Sequence, residues 1–473
     1  MAYLDQLNRV FQRFTKTLEP VLNRTQTGVV IFLVFAVLDL LYRVISHEFL
    51  LWPSSAVLNA WFDKSNELGY LYDAFSKTPA FILFKLFDYC DFFGINVFNI
   101  FIILDIASSA LCKYFGLLVV YKIAKVPFYS KRYLLISLII ILSVGGSFSQ
   151  LFHGLNLAGW SFPLNVGFSN SGLGCLFGFI FLNQELSSKN GLFWAFLSLL
   201  IHPIIGLITI SFFWIYWLLE FKLYPKLNSI ILCVVMGIFY KIILGTETIL
   251  DFDIYLNNTI RHPHHYMPSF YMQNLRPEHI VLLLIHCVLL IRFPFLFALY
   301  IIYTLPHVMQ YLVSEENLFP FLYQVQPSRF SAIAHLLVLA AVVRFLANSC
   351  SAESLKFLIM LSSAVYFIKA YKLEQSSIKN LGNHLEGRIV FVDKMVENLE
   401  NLRSYCNCTV YYDNNYPFTV EESRIWFDRS SMDTGDLESK LDDPVTYITD
   451  SPKSLNDQWS ENKMGNYYLY EKQ

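Results

Sequence analysis

The segment RHPHHYMPS at 261–269 gathers Arg261, His262, His264 and His265 in a chain otherwise rich in Leu, Ile, Phe and Tyr. Imidazole and guanidinium groups set this close can grip a phosphate or carboxylate, shuttle a proton, or ligate a metal. The His-x-His-His spacing does not choose among these, because a metal site also needs an acidic ligand in fitting geometry. Pro263 and Pro268 restrain the backbone on either side and favour a fixed shape over a wet, merely decorated loop. A second basic position, Arg329, stands with Gln326 in QVQPSRF (324–330), where an outer loop enters an apolar helix. There it either snorkels to the interface or holds an anionic head group.

Carboxylates collect elsewhere. The stretch 46–80 holds Asp63 and Asp73 with His47, Glu48 and Glu67, and Asp88 and Asp91 follow. A carboxylate there suits a general base or a contact to a divalent metal, which leaves the cofactor open; any single one can also be a solvated loop charge. His202 lies inside the apolar LLIHPIIGL (199–207), beside a helix-breaking proline. Ionisable residues and broken helices at membrane depth line cavities or pathways, unless the imidazole merely bonds a nearby carbonyl. Asp39 and Asp105 fall within apolar runs and are costly there unless paired; Arg43, one helical turn beyond Asp39, is the expected partner. Cys406 and Cys408 form the one close cysteine pair, read as two plain thiols or as a redox or metal site.

The elements that must position these groups are membrane helices. Of 473 residues, 55% are hydrophobic and only 15% charged, which excludes a soluble surface over most of the length. A net charge of -2 gives no basic excess and argues against nucleic acid. The first 27 residues are polar in overall character and lack a signal-peptide core, so the first apolar run is expected to stay as an anchor. Runs able to cross the hydrocarbon as helices fall at 28–45, 95–121, 133–149, 227–245, 329–347 and 352–370, with a shorter glycine-rich one at 168–184. The long stretches 191–218 and 278–312 are each broken by proline, in IHPIIG and IRFPF, and read as two short helices. The expectation is an α-helical polytopic protein with about eleven membrane segments over 28–372.

Lysine and arginine mark the 1–27 arm (Arg9, Arg13, Lys16, Arg24) and the loops 121–132 and 220–226 as cytoplasmic. The segments 46–80, 150–169, 246–277 and 313–328 then face outward, and so does the tail. From 376 to 473 the composition turns polar. GRIVFVDK (387–394), CTVYYDN (408–414), DDPVTYITD (442–450) and NYYLYE (466–471) read as strands, and 395–405 and 419–429 as amphipathic helices. A small α/β domain outside the membrane follows. Walker, GxSxG, HExxH and dinucleotide motifs are absent.

His202-Pro203 with Gly206, Arg261 with Pro263, His264 and His265, Gln326-Pro327 with Arg329, and the tail ENLRSYCNCTVYYDNNYPFTVEESRIWFDR form an ordered set. That set resembles a family of bacterial polytopic membrane proteins, which in turn look like distant relatives of the multi-spanning C-type glycosyltransferases. The resemblance implies a polyprenyl-phosphate sugar donor, membrane lipids and envelope-assembly proteins as partners, and a plasma-membrane location with the catalytic carboxylate in the first outer loop. In the glycosyltransferases that carboxylate usually belongs to an acidic pair, whereas this chain offers Asp63 and Asp73 singly; Asp73 is the nominee. Arg261, His264, His265, Arg329 and Gln326 would bind the donor phosphate. Two alternatives stand beside this: a transporter or flippase of a glycolipid or anionic substrate, and a non-catalytic scaffold for envelope assembly.

Overall fold

The computed structural model describes residues 24–46, 56–65, 71–76, 81–127, 131–145, 167–185, 191–221, 227–244, 277–312, 330–372, 376–393, 402–406, 408–412, 445–455, 457–465 and 467–472, with Leu399, Asp428, Arg429, Met432 and Asp436. Fifteen helices precede the first strand. They are α1 (Arg24–Ser46), α2 (Ala56–Phe62), α3 (Leu71–Ser76), α4 (Phe81–Phe92), α5 (Val97–Ile123), α6 (Lys131–Gly145), α7 (Asn170–Glu185), α8 (Leu192–Ile201), α9 (Pro203–Phe221), α10 (Leu227–Leu244), α11 (Pro277–Leu290), α12 (Pro294–Leu312), α13 (Ser331–Ser349), α14 (Ala352–Lys372) and α15 (Ser376–His384). The fifteen are counted among the described residues.

Among the described residues, three helices are long and apolar enough to cross a membrane: Gly28–Ile45, Val97–Ile123 and Pro203–Glu220. Leu134–Ser143, Leu192–Ile201, Pro294–Leu305 and Ile333–Ser349 are apolar but shorter. The expected eleven segments are therefore a finer statement than length and composition carry. One apolar core, from Ile31 and Phe35 of α1 to Leu355 and Ile359 of α14, unites the bundle.

Both proline breaks are real, and each makes a hairpin. Along α8 and α9, Gly191 lies against Phe181, the Ser198 hydroxyl donates to the Gly174 carbonyl at 2.8 Å, Gly178 meets Thr209, and Phe181 packs edge-on with Phe213. So α8 runs antiparallel to α7, and α9 doubles back beside it. The crossing is close: a Cβ on Gly206 would stand 2.6 Å from the Leu199 backbone. Glycine is required there by approach, not by φ. In the second hairpin, Arg344 caps the Phe293 ring at 4.8 Å, while Tyr303 stacks with Phe330 just ahead of α13. Thus α12 runs antiparallel to α13, with the α11–α12 turn near the carboxyl end of α13. The two hairpins turn at opposite ends of the bundle. In both, proline opens the second helix, where its missing N–H costs nothing.

The tail forms β1 (Ile389–Val392), a helical turn α16 (Leu402–Tyr405), β2 (Thr409–Tyr412), β3 (Val445–Thr449), β4 (Trp459–Met464) and β5 (Tyr467–Lys472). The sheet order is β2-β1-β3-β5-β4; β1 is parallel to β2 and β3, and β5 is antiparallel to β3 and β4. All four expected strands are present, and β4 is an addition. Of the expected helices, 402–405 and Asp428–Arg429 are helical, Leu399 is not, and the other residues lie outside the described ones. Strand alternation splits the sheet between two cores. Val390, Val392, Val410, Ile448 and Leu469 pack with Leu381, Leu385 and Leu402. Ile389, Phe391, Tyr411, Tyr447 and Tyr470 join Val57, Leu58, Leu71, Phe84, Phe87, Phe101 and Phe168. The domain is thus seated on the first-loop helices and the start of α5, at one end of the bundle. Within the expected loop 46–80 the described residues 56–65 and 71–76 form α2, a 3-10 turn at Asp63–Ser65, and α3. Cys406 and Cys408 are joined as a disulfide, which excludes the two-thiol reading in this state.

Candidate functional site

The most concentrated polar chemistry among the described residues is a charged seam between α1 and α5. Arg43 pairs with Asp105, and Lys113 pairs with Asp39; Lys113 also donates to Ser109 Oγ at 2.8 Å. Arg43 is 1% exposed and Asp105 0%. The expected pairing of Asp39 with Arg43 on one helix is therefore corrected to two pairs across helices. An intrahelical pair would have stranded Asp105 and Lys113 in an apolar interior, where an unpaired charge is expensive. Crossing neutralises all four. The Lys113 stem reaches toward the start of its own helix, the direction helical side chains lean. Lys113 was missed in the sequence; its signal was a lysine two turns beyond Asp105 inside an apolar run.

Asp105 carries a further load. Its Oδ1 accepts the Phe168 backbone N–H, so the approach to α7 is tied into the seam. Gly167 lies so close to this carboxylate that a side chain at that position would collide with it. Asp39 Oδ2 has no hydrogen-bond partner. Tyr366 of α14 donates to the Leu38 carbonyl at 3.3 Å and packs on Tyr42, closing the seam from a third helix.

Above the seam lies the first loop. Asp63 is buried (1% exposed), and its Oδ2 accepts the Leu71 N–H at 2.8 Å at the head of α3. Its geometry is that of a cap. Asp73, in the first turn of the same helix, is exposed. Of the two nominated carboxylates, then, one caps a short helix from before its start and is buried, and the other lies within that helix and is exposed. Asp88 of α4 has the richest partnership: Lys64 at 2.8 Å, Trp61 Nε1 at 3.4 Å and Lys85 at 3.6 Å. Burial alone would raise its pKa, but hydrogen bonds from Lys64 and Trp61 with the charges of Lys64 and Lys85 outweigh it and hold the carboxyl below its ordinary value. The same hydrogen bond to Asp88 raises the pKa of Lys64.

His202 terminates α8 with an extended backbone, and its Nδ1 accepts the Ile205 N–H at 3.4 Å at the head of α9. An accepting Nδ1 assigns the ring proton of the neutral imidazole to Nε2. The histidine is thus a half-buried hinge cap at the turn of the first hairpin. His286, in the second hairpin, is 3% exposed, meets Tyr300 edge-on and leaves Nδ1 without a hydrogen-bond partner. Arg261, His264, His265, Gln326 and Arg329 lie outside the described residues. Phe330, the next residue after Arg329, opens α13 at the end of the bundle that bears the sheet.

In the tail, Asp393 follows β1 directly and is buried. It accepts a hydrogen bond from Tyr447 and pairs with Lys453 at 3.2 Å. Burial, reinforced by Asp393, pushes the Tyr447 phenol well above its usual range. Among the described residues no group of three His, Cys, Asp or Glu side chains is arranged to hold a metal ion.

No family model matches the chain, and neither a curated protein nor a solved structure is significantly similar to it. Function is therefore argued from the geometry.

Proposed function

We propose that the chain is a plasma-membrane glycosyltransferase-like enzyme that acts on polyprenyl-phosphate-linked sugars at the outer face, in envelope polysaccharide or glycolipid synthesis. The observation that carries this reading is the shared core of the first-loop helices, the start of α5 and the C-terminal sheet. It brings Asp73 to the same end of the bundle as the extramembrane domain. The helices flanking 245–276 and 313–329 also run to that end. Two features support calling it the outer end. Lys122, Lys125, Arg132, Arg292, Arg344 and Lys356 collect at the opposite end, as cytoplasmic ends do, against Glu220 and Glu353. The Cys406–Cys408 disulfide suits an oxidising compartment.

In this reading the lipid chain lies among the helices and the sugar faces the first loop. Asp73 takes the acceptor proton, and Arg261, His264, His265, Arg329 and Gln326 stabilise the departing phosphate, the larger electrostatic contribution in such transfers. Asp63 holds the first turn of α3 in place. About eleven membrane segments, with each hairpin counted as two, give this topology. The test is to introduce Asp73→Asn and Arg261→Ala separately and to profile surface glycans and lipid-linked intermediates in the source membranes. Accumulated intermediate with normal protein level supports the reading, and unchanged profiles in both variants refute it.

The opposed, proline-opened hairpins, with His202 and His286 inside them, favour a second reading: transport or flipping of the same class of lipid-linked or anionic substrate. Proteoliposome uptake without sugar transfer would select it over the first.

A further inference from the structure

Helix α4 is exposed where a water-facing helix would be polar. Its inner face, Leu83, Phe84 and Phe87, is filled: Phe84 stacks on Tyr72 at 4.9 Å, and Phe87 meets Trp61 and Phe101 edge-on. Its outer face should then carry charge. Instead Phe81, Ile82, Leu86, Tyr89 and Phe92 fall within about 140° of the helix circumference at 3.6 residues per turn, and Phe93 continues the patch. Their exposures run from 40% for Leu86 to 82% for Phe92. The one charge inside that arc is Lys85, a side chain long enough to lift its ammonium clear of apolar surroundings.

The occupant of this face follows from length and continuity. Twelve residues span about 18 Å at 1.5 Å each, too short to cross about 30 Å of hydrocarbon. Neither does α4 lie along α5. Its contact there is Phe87 with Phe101, close to the start of α5, and the chain is redirected between the two helices at Gly94. There the Ile95 N–H bonds the Cys90 carbonyl, the Gly94 N–H bonds the Asp91 carbonyl and Gly94 takes φ +69°, a helix stop that glycine accommodates without strain. At that turn α4 joins directly to α5, a helix of membrane-crossing length whose Ile103 is exposed, as are Val37, Leu41 and Val44 of the membrane-length α1. The exposed Phe81, Tyr89, Phe92 and Phe93 with Ile82 and Leu86 match the apolar face of an in-plane interfacial helix.

We infer that α4 is an interfacial helix: it lies in one leaflet of the bilayer at the headgroup–acyl boundary, with Phe81, Ile82, Leu86, Tyr89, Phe92 and Phe93 in lipid, and so fixes the first loop and the sheet above it against the membrane surface. The partner is lipid, not a second copy of the chain or a soluble protein. This inference is independent of the enzymatic reading, since it concerns where the loop sits and not what it catalyses.

The test uses the intact protein in liposomes containing phospholipids with a photoactivatable diazirine either near the carbonyl end or at the terminus of the acyl chain, with labelled residues mapped by mass spectrometry. The expected result is labelling of Tyr89, Phe92 and Phe93 by the carbonyl-proximal probe, at yields within about threefold of Val37 and Leu41, and at least fivefold less from the chain-end probe. A water-soluble carbene reagent should label Lys463 of the sheet and spare Phe92. Phe92 labelled by the soluble reagent alone would mean that α4 faces water. Phe92 untouched by every probe, with α1 labelled normally, would mean that protein covers it. Either outcome overturns the inference, whatever becomes of the sugar-transfer experiment.

Discussion

Asp105→Asn removes one charge from the seam and almost no volume. Asn keeps an oxygen to accept the Phe168 N–H, so the tie to the approach of α7 is preserved and the loss is electrostatic. Arg43, 1% exposed, is left facing an amide. Removing one member of a buried ion pair costs about 3–5 kcal/mol, much of it the penalty of the stranded partner. One route of relief exists: Asp39 Oδ2 has no partner and sits one turn from Arg43. A swing toward it would recover part of the loss, so the expected cost is near the lower bound, about 3 kcal/mol. The double variant Arg43→Met/Asp105→Asn removes both charges and should regain about 2 kcal/mol or more, because a neutral apolar replacement leaves nothing stranded. Asp39→Asn/Asp105→Asn closes the relief route and should be worse than Asp105→Asn alone. Steric trapping of the unfolded state in bicelles reads these differences as free energies without heating. If Asp105→Asn falls within about 0.5 kcal/mol of the parent, the ordinary range for surface changes, or if the double variant is no better than the single, the seam does not hold α1 to α5 as argued.

Three further outcomes follow from particular contacts. Gly206→Ala should lower the thermal midpoint in detergent, by a loss of about 1–3 kcal/mol, since its Cβ meets the Leu199 backbone; Gly237→Ala, with nothing within 4 Å, should be neutral or gain up to about 1 kcal/mol. Replacing Cys406 and Cys408 together by Ser should cost about 1.6 kcal/mol, because so short a loop surrenders little chain entropy; a loss above about 4 kcal/mol, like that of a disulfide closing a long loop, would contradict this. The Lys64–Asp88 pair links the 3-10 turn after α2 to α4. Asp88 is depressed, so its contribution is complete above the ordinary value of 3.8 and is lost as pH falls through a still lower one; Lys64 is raised, so its contribution is complete below 10.5 and is lost as pH rises beyond. Between those limits Asp88→Asn should cost no more than about 1 kcal/mol, given how exposed the pair is, and the cost should vanish in acid. A pH-independent penalty in unfolding titrations would assign Asp88 a different role.

The helices were legible where apolar runs are uninterrupted, and the breaks at Pro203 and Pro294 were legible because proline cannot donate to the preceding turn. The parallel strands showed themselves through Ile389–Val392 and Val445–Thr449, buried on both faces, the first continuously apolar and the second made of β-branched and aromatic residues. Strand β4 was not legible. WSENKM has one large apolar residue at its start, and as an edge strand it is held by main-chain pairing to β5. The helices of the first loop were hidden for another reason: their apolar residues serve a core completed from the other end of the sequence, by Tyr411, Tyr447 and Tyr470. The pairing in the seam was hidden in the same way. Spacing along one helix points to Asp39 with Arg43, and only the apposition of α1 and α5 shows that each has a better partner. Of the candidate site, Asp63 could be recognised as an acid but not as a cap, because its acceptor role depends on where α3 begins.

The crossed pairs also bear on biogenesis. Segment α1 carries Asp39 and Arg43, which alone could offer each other only the poorer intrahelical pair, and α5 carries Asp105 and Lys113, two turns apart with no counterpart on their own helix, so separate release into lipid would cost up to about 2.5–3.5 kcal/mol for each uncompensated charge. The first should therefore linger beside the insertion machinery until the second emerges some fifty residues later, and the two should enter the bilayer together.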